Sequence, residues 1–119
     1  MGAERRQADR VYVQLNARWE GILAQCEGHI VDLSATGCFV LTADRVKPKE
    51  LIRVEIQLPT EGWLFLWGEV VYRIEEMGFA LRFTGVSDME QSMLDLLLEF
   101  MREETGGGGG VAAPIMAAK

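Results

Sequence analysis

The sequence predicts an all-β domain, an antiparallel barrel or sandwich of six short strands completed by one C-terminal α-helix. Three observations predict it. Apolar and polar residues alternate at period two over residues 11–18 and again over 51–58. Turn residues separate six apolar runs with no helical segment among them, which excludes a parallel α/β sheet. A helical periodicity appears once only, after Ser87. A closed or nearly closed barrel would remove exposed sheet edges, which suits a single domain of 119 residues.

The elements follow in chain order. Residues 1–10 show no apolar periodicity and read as an N-terminal arm. From residue 11, Val11, Val13, Leu15 and Ala17 share one face of a first strand, with Tyr12, Gln14, Asn16 and Arg18 on the other. Gly21 punctuates the chain, and residues 22–31 form a second, less regular strand that ends at Asp32. The stretch Asp32-Leu33-Ser34-Ala35-Thr36-Gly37 is a polar turn between two apolar runs. Residues 38–42 are β-branched and aromatic enough for a third strand. A polar loop containing Lys47-Pro48-Lys49 leads to a fourth, 51–58, in which Ile52, Val54, Ile56 and Leu58 face one way; Pro59 stops it. Residues 63–74 make a long fifth strand, and 77–83 a sixth after a hairpin-length connection at Glu75-Glu76.

The helix signal is Ser87-Asp88-Met89-Glu90, the S-x-x-E form of a capping box, with Asp88 and Glu90 placed where the helix dipole favours negative charge. Met89, Met93, Leu97 and Phe100 or Met101 form a stripe broadened by Leu94, Leu96 and Leu98. Its main use is to pack on the barrel. The stripe is wide enough to serve a partner or a second copy as well, so a homodimer is compatible with it. The barrel and helix therefore span 11–104. Residues 105–119, opening on a glycine run, read as a flexible tail.

Composition narrows the function. Hydrophobic residues at 49% and charged residues at 25% are ordinary for a globular domain. No apolar run reaches the length of a membrane span, and the charged N-terminus is unlike a signal peptide, so a cytoplasmic location without membrane insertion is expected. Cys26 and Cys38 have no metal-ligand spacing and read as buried small hydrophobes. His29 is the sole histidine, which leaves zinc or histidine-based catalysis little to build on. Net charge is −6; residues 1–18 carry Arg5, Arg6, Arg10 and Arg18 against Glu4 and Asp9, hence +2, and the remainder carries −8. An acidic body disfavours a nucleic-acid polymer, while a small anion held by the local arginines fits.

Two polar clusters carry the functional signal. Arg6 and Arg10 are spaced RxxxR, and Asp32, Ser34 and Gly37 follow as DxSxxG. With these residues the chain resembles the PilZ domain family, bacterial receptor modules for cyclic di-GMP, whose signature is RxxxR followed by [D/N]xSxxG. Gly68-Glu69-Val70-Val71-Tyr72-Arg73 and Gly78-Phe79-Ala80-Leu81-Arg82-Phe83 look like the last two strands of that family, so the resemblance runs from about Glu4 to about Glu104 and implies a six-stranded antiparallel β-barrel with a C-terminal α-helix.

The resemblance also implies roles. Arg6 and Arg10 would meet phosphate oxygens or the guanine O6 and N7 edge through paired hydrogen bonds. Asp32 would accept from guanine N1–H and N2–H, Ser34 would offer its hydroxyl, and Gly37 would allow close backbone approach. Arg5 lies outside the signature and could add a third cation. The function so implied is a cyclic di-GMP receptor whose arm orders on the ligand and changes the surface shown to an unidentified protein effector. The alternative is an adaptor of the same fold that binds no nucleotide. An enzyme is not expected: Ser34, His29 and Asp32 crowd within six residues, where no turn aims all three at a substrate.

Overall fold

A computed structural model describes residues 10–21 and 25–106. Six strands, β1 (Val11–Glu20), β2 (Gln25–Leu33), β3 (Gly37–Leu41), β4 (Leu51–Gln57), β5 (Trp63–Ile74) and β6 (Gly78–Phe83), precede one helix, α1 (Asp88–Gly106). The strands close into an antiparallel barrel in the order β1-β2-β3-β6-β5-β4. Closure is made by β1 on β4, with Ala17 opposite Ile56 and Arg18 opposite Glu55, so no strand of the barrel is left as an edge.

The period-two pattern decides which side chains fill the barrel. Val11, Val13, Leu15, Ala17 and Trp19 of β1 are all buried, as are Ile52, Val54 and Ile56 of β4. Trp19 meets Phe79 edge to face, with ring centroids 5.4 Å apart, a geometry the ring quadrupoles favour. Val46, from the β3–β4 loop, is buried in the same core, and Leu94, Leu97 and Leu98 of α1 join it. The helix begins as its capping box predicts: Glu90 N–H donates to Ser87 Oγ and Ser87 N–H to Glu90 Oε1. No helix among the described residues is long and apolar enough to cross a membrane.

Several expectations shift in detail. β2 does not stop before the polar turn but runs through Asp32 and Leu33, because both pair with β1 and β3. The turn shrinks to Ser34, Ala35 and Thr36, and Gly37 opens β3. The start of the second strand at 22–24, the arm at 1–9 and the tail from 107 lie outside the described residues, while α1 continues two residues past position 104. Cys38 is buried as expected, but Cys26 is only half-buried, since it lies at the barrel end beside Asp44 and Glu50.

Candidate functional site

The second half of the signature is built by a bulge in β2. Ile30 pairs with Val40, but the next pair is Asp32 with Phe39, so Val31 is an extra residue that interrupts the ladder. Without it Asp32 would share the inward face of Ile30, two residues away. With it, Ile30 and Leu33 are the residues that point into the core, each fully buried, and Asp32 turns outward. A matching irregularity in β1 lies between Tyr12 and Leu15, so the barrel wall is bent at this end.

Asp32 there meets the first half of the signature. Arg10, immediately before β1, donates from Nη1 to Asp32 Oδ1 at 2.7 Å. The side chains are 53% and 20% exposed respectively. An ion pair so open to water contributes about 0–1 kcal/mol, so it is not a device for holding the barrel together. It brings a planar donor fork and a carboxylate acceptor side by side on the outer wall, the two kinds of group needed to read a polar, anionic ligand. Arg5 and Arg6 lie outside the described residues.

Ser34 and Gly37 occupy different positions. Ser34 is 1% exposed, and its Oγ accepts from Thr36 N–H and Gly37 N–H, each at 3.2 Å. Ser34 N–H in turn donates to Gly37 carbonyl oxygen at 2.8 Å. The hydroxyl expected to face a ligand is thus committed to the turn, where it satisfies backbone donors that burial would otherwise leave unpaired. Gly37 is packed against β6, opposite Arg82; a Cβ on it would collide with the Leu81 carbonyl oxygen.

Aromatic residues flank Asp32 that the motif does not include. Tyr12 and Phe39 are its cross-strand partners. Phe39 contacts Tyr72, with ring centroids 6.4 Å apart, and Tyr12 and Tyr72 are both exposed. Rings beside a donor and an acceptor can take the face of a planar base. Tyr12 was legible as outward from alternation. Tyr72 was not, because a further irregularity between Val70 and Tyr72 changes the phase of β5. Glu69 and Arg82 continue this outer wall as an ion pair at 2.6 Å.

Cys38 lies beneath the signature. Burial pushes its thiol above the ordinary range, the negative charge of Asp32 adds to the rise, and Arg10 opposes it. At the opposite end of the barrel a cleft of about 780 Å³ is lined by Trp19, Cys26, Asp44, Val46, Arg73 and neighbouring loop residues, distant from the signature in the fold. Among the described residues no cluster of three or more His, Cys, Asp or Glu side chains could hold a metal ion.

A sequence model of the PilZ domain matches residues 4–100. Comparison with curated proteins finds no match. Among solved structures the chain is similar to the PilZ domain with c-di-GMP of YcgR from Escherichia coli, at a TM-score of 0.74 and 15% identity, covering 84% of this chain and 93% of that one. It is similar to the Bacillus subtilis inhibitor of motility MotI/DgrA at a TM-score of 0.69 and 20% identity, covering 87% of this chain and 52% of that one. The PilZ domain of CeSA from a cellulose synthesizing bacterium gives 0.66 and 13%, covering 80% and 99%. At these identities the likeness is one of fold.

Proposed function

Because the chain belongs to the PilZ domain family, we propose that it is a cytoplasmic receptor module for cyclic di-GMP. The observation that carries the reading is the Arg10–Asp32 contact, which joins the two halves of the signature on one patch of outer wall. On this reading Arg6 and Arg10 take phosphate oxygens or a guanine O6 and N7 edge, and Asp32 accepts from N1–H and N2–H of a guanine. Arg5, next to Arg6, supplies a further cation. Tyr12 and Tyr72, both exposed, offer ring faces to the bases, with Phe39 buried against Tyr72.

Ser34 and Gly37 contribute by shape. The Ser34 turn and the close Gly37–Leu81 packing hold the end of β2 in place, and with it the Asp32 carboxylate. Exchange of the Arg10–Asp32 pair for ligand contacts costs little, since the pair is exposed and weak. Residues 1–10 then close over the ligand and alter the surface offered to a protein effector, at the expense of the conformational freedom of that stretch.

Calorimetric titration of the full chain with cyclic di-GMP tests the proposal. A saturable heat with a defined stoichiometry is expected. No heat from a folded sample would overturn the receptor reading and leave an adaptor of the same fold.

A further inference from the structure

The outer wall carries a second arginine–carboxylate pair that matches the one at the signature. Arg82 of β6 donates from Nη2 to Glu69 Oε1 of β5 at 2.6 Å, and the two side chains are 63% and 28% exposed. The Arg10–Asp32 pair has the same form, an open arginine laid on a half-buried carboxylate at 2.7 Å. Other close pairs among the described residues are differently placed. Arg18, paired with Glu55, has its guanidinium committed to the Trp63 ring, 3.7 Å from the centroid, and Arg73 pairs with Glu75 at the end of its own strand.

The register sets the two matching pairs on one face. Tyr12, Asp32, Phe39, Ala80 and Tyr72 form a row across β1, β2, β3, β6 and β5. Arg82 stands two residues beyond Ala80, with Gly37 opposite it on β3 and Glu69 opposite it on β5. Only β3 separates β2 from β6. Two strand spacings and one two-residue step therefore put the backbones of Asp32 and Arg82 roughly 12 Å apart along the wall. Between them lie the small Ala80 and the Phe39–Tyr72 contact.

Each pair suits one guanine. Along one side, guanine shows N7 and O6 as acceptors and then N1–H and N2–H as donors. A guanidinium fork beside a carboxylate presents the complementary order, donors and then acceptors. Cyclic di-GMP carries two guanines, one on either side of its ring of sugars and phosphates, whereas the signature contains a single carboxylate. We propose that Glu69 and Arg82 form a second base-reading subsite, so that Arg10 and Asp32 take one guanine and Arg82 and Glu69 take the other. The inference rests on the receptor reading. A pair kept only to join β5 to β6 is exposed and weak, and it would be indifferent to the identity of the base.

Competition titrations of the full chain with cyclic di-GMP and with the mixed dinucleotide cyclic GMP–AMP test the proposal. With its guanine at Asp32, the mixed ligand sets the adenine N1 lone pair against Glu69 and the adenine amino group against Arg82. The wild type should prefer cyclic di-GMP by at least about tenfold. Glu69→Ala and, separately, Arg82→Ala should bring the two affinities within about threefold of each other, mainly by weakening cyclic di-GMP, with wild-type melting curves. Arg82→Lys keeps a cation beside Glu69 but loses the fork, and it should narrow the preference in the same way. Variants that keep the wild-type preference, in a wild type that binds cyclic di-GMP, would overturn this inference alone. Equal loss of both dinucleotides in Arg82→Ala would also overturn it, by assigning Arg82 to phosphate. A wild type that binds neither dinucleotide would overturn the receptor reading, and this inference with it.

Discussion

Gly37 lies so close to Leu81 across the β3–β6 ladder that any Cβ on it would strike the Leu81 carbonyl oxygen. The last residue of the signature is therefore fixed by packing between two strands. Gly37→Ala should destabilise the domain by about 1–3 kcal/mol through forced separation of β3 from β6, read as a lowered midpoint in urea. Loss of ligand affinity without loss of stability would instead give Gly37 a direct role.

Ser34→Ala removes the acceptor for two backbone N–H groups in a buried turn. The cost should be about 1–3 kcal/mol of stability, the usual penalty for buried donors left unpaired. Thermal melts of the variant check it. A melt identical to wild type would mean that the turn is held by the Ser34–Gly37 backbone bond alone.

Arg10→Ala should behave in the opposite way. Its ion pair with Asp32 is exposed, so stability should change by no more than about 1 kcal/mol. Affinity for cyclic di-GMP should fall by about 1–3 kcal/mol if the guanidinium makes a paired contact. Calorimetry and a melt on the same sample separate the two effects, and undiminished binding would remove Arg10 from the site.

Base selectivity tests Asp32. Adenine lacks the N1–H and N2–H donors of guanine and carries an amino group where guanine has O6. Cyclic di-AMP should therefore bind at least about a hundredfold more weakly than cyclic di-GMP, with Asp32→Ala narrowing the ratio. Equal affinities in competition titrations would show that the site reads only phosphate.

The cysteines give a pH-dependent prediction. Burial raises the thiol of Cys38 and, with the charge and hydrogen bond of Asp44, that of Cys26. At pH 8 iodoacetamide should modify Cys26 slowly and Cys38 only as the domain unfolds. A thiol raised in the folded state keeps its proton where the unfolded chain loses it. Its stabilising contribution is thus complete below the ordinary thiol value of about 8.5 and declines as pH rises past it. Cys38→Val should remove that part of the alkaline decline in denaturant midpoints.

The sequence by itself determined what depends on neighbours along the chain. Alternation in β1 and β4 placed Val11, Val13, Leu15 and Ala17, and Ile52, Val54 and Ile56, in the core, and the S-x-x-E box placed the start of α1 at one residue's accuracy. The RxxxR and DxSxxG spacings marked the family. Only the tertiary structure decided which way the signature residues point. A bulge at Val31 is a property of three strands meeting, and it reverses the phase that alternation would extend from Ile30 to Asp32. Ser34 reads as a ligand donor in the motif but is sealed in a turn, because its acceptor capacity is needed by backbone groups that the barrel wall buries. The same holds for α1, whose apolar residues are uniform in sequence. The barrel takes Leu94, Leu97 and Leu98 and leaves Met89 and Leu96 exposed, since a curved wall can cover only one side of a helix.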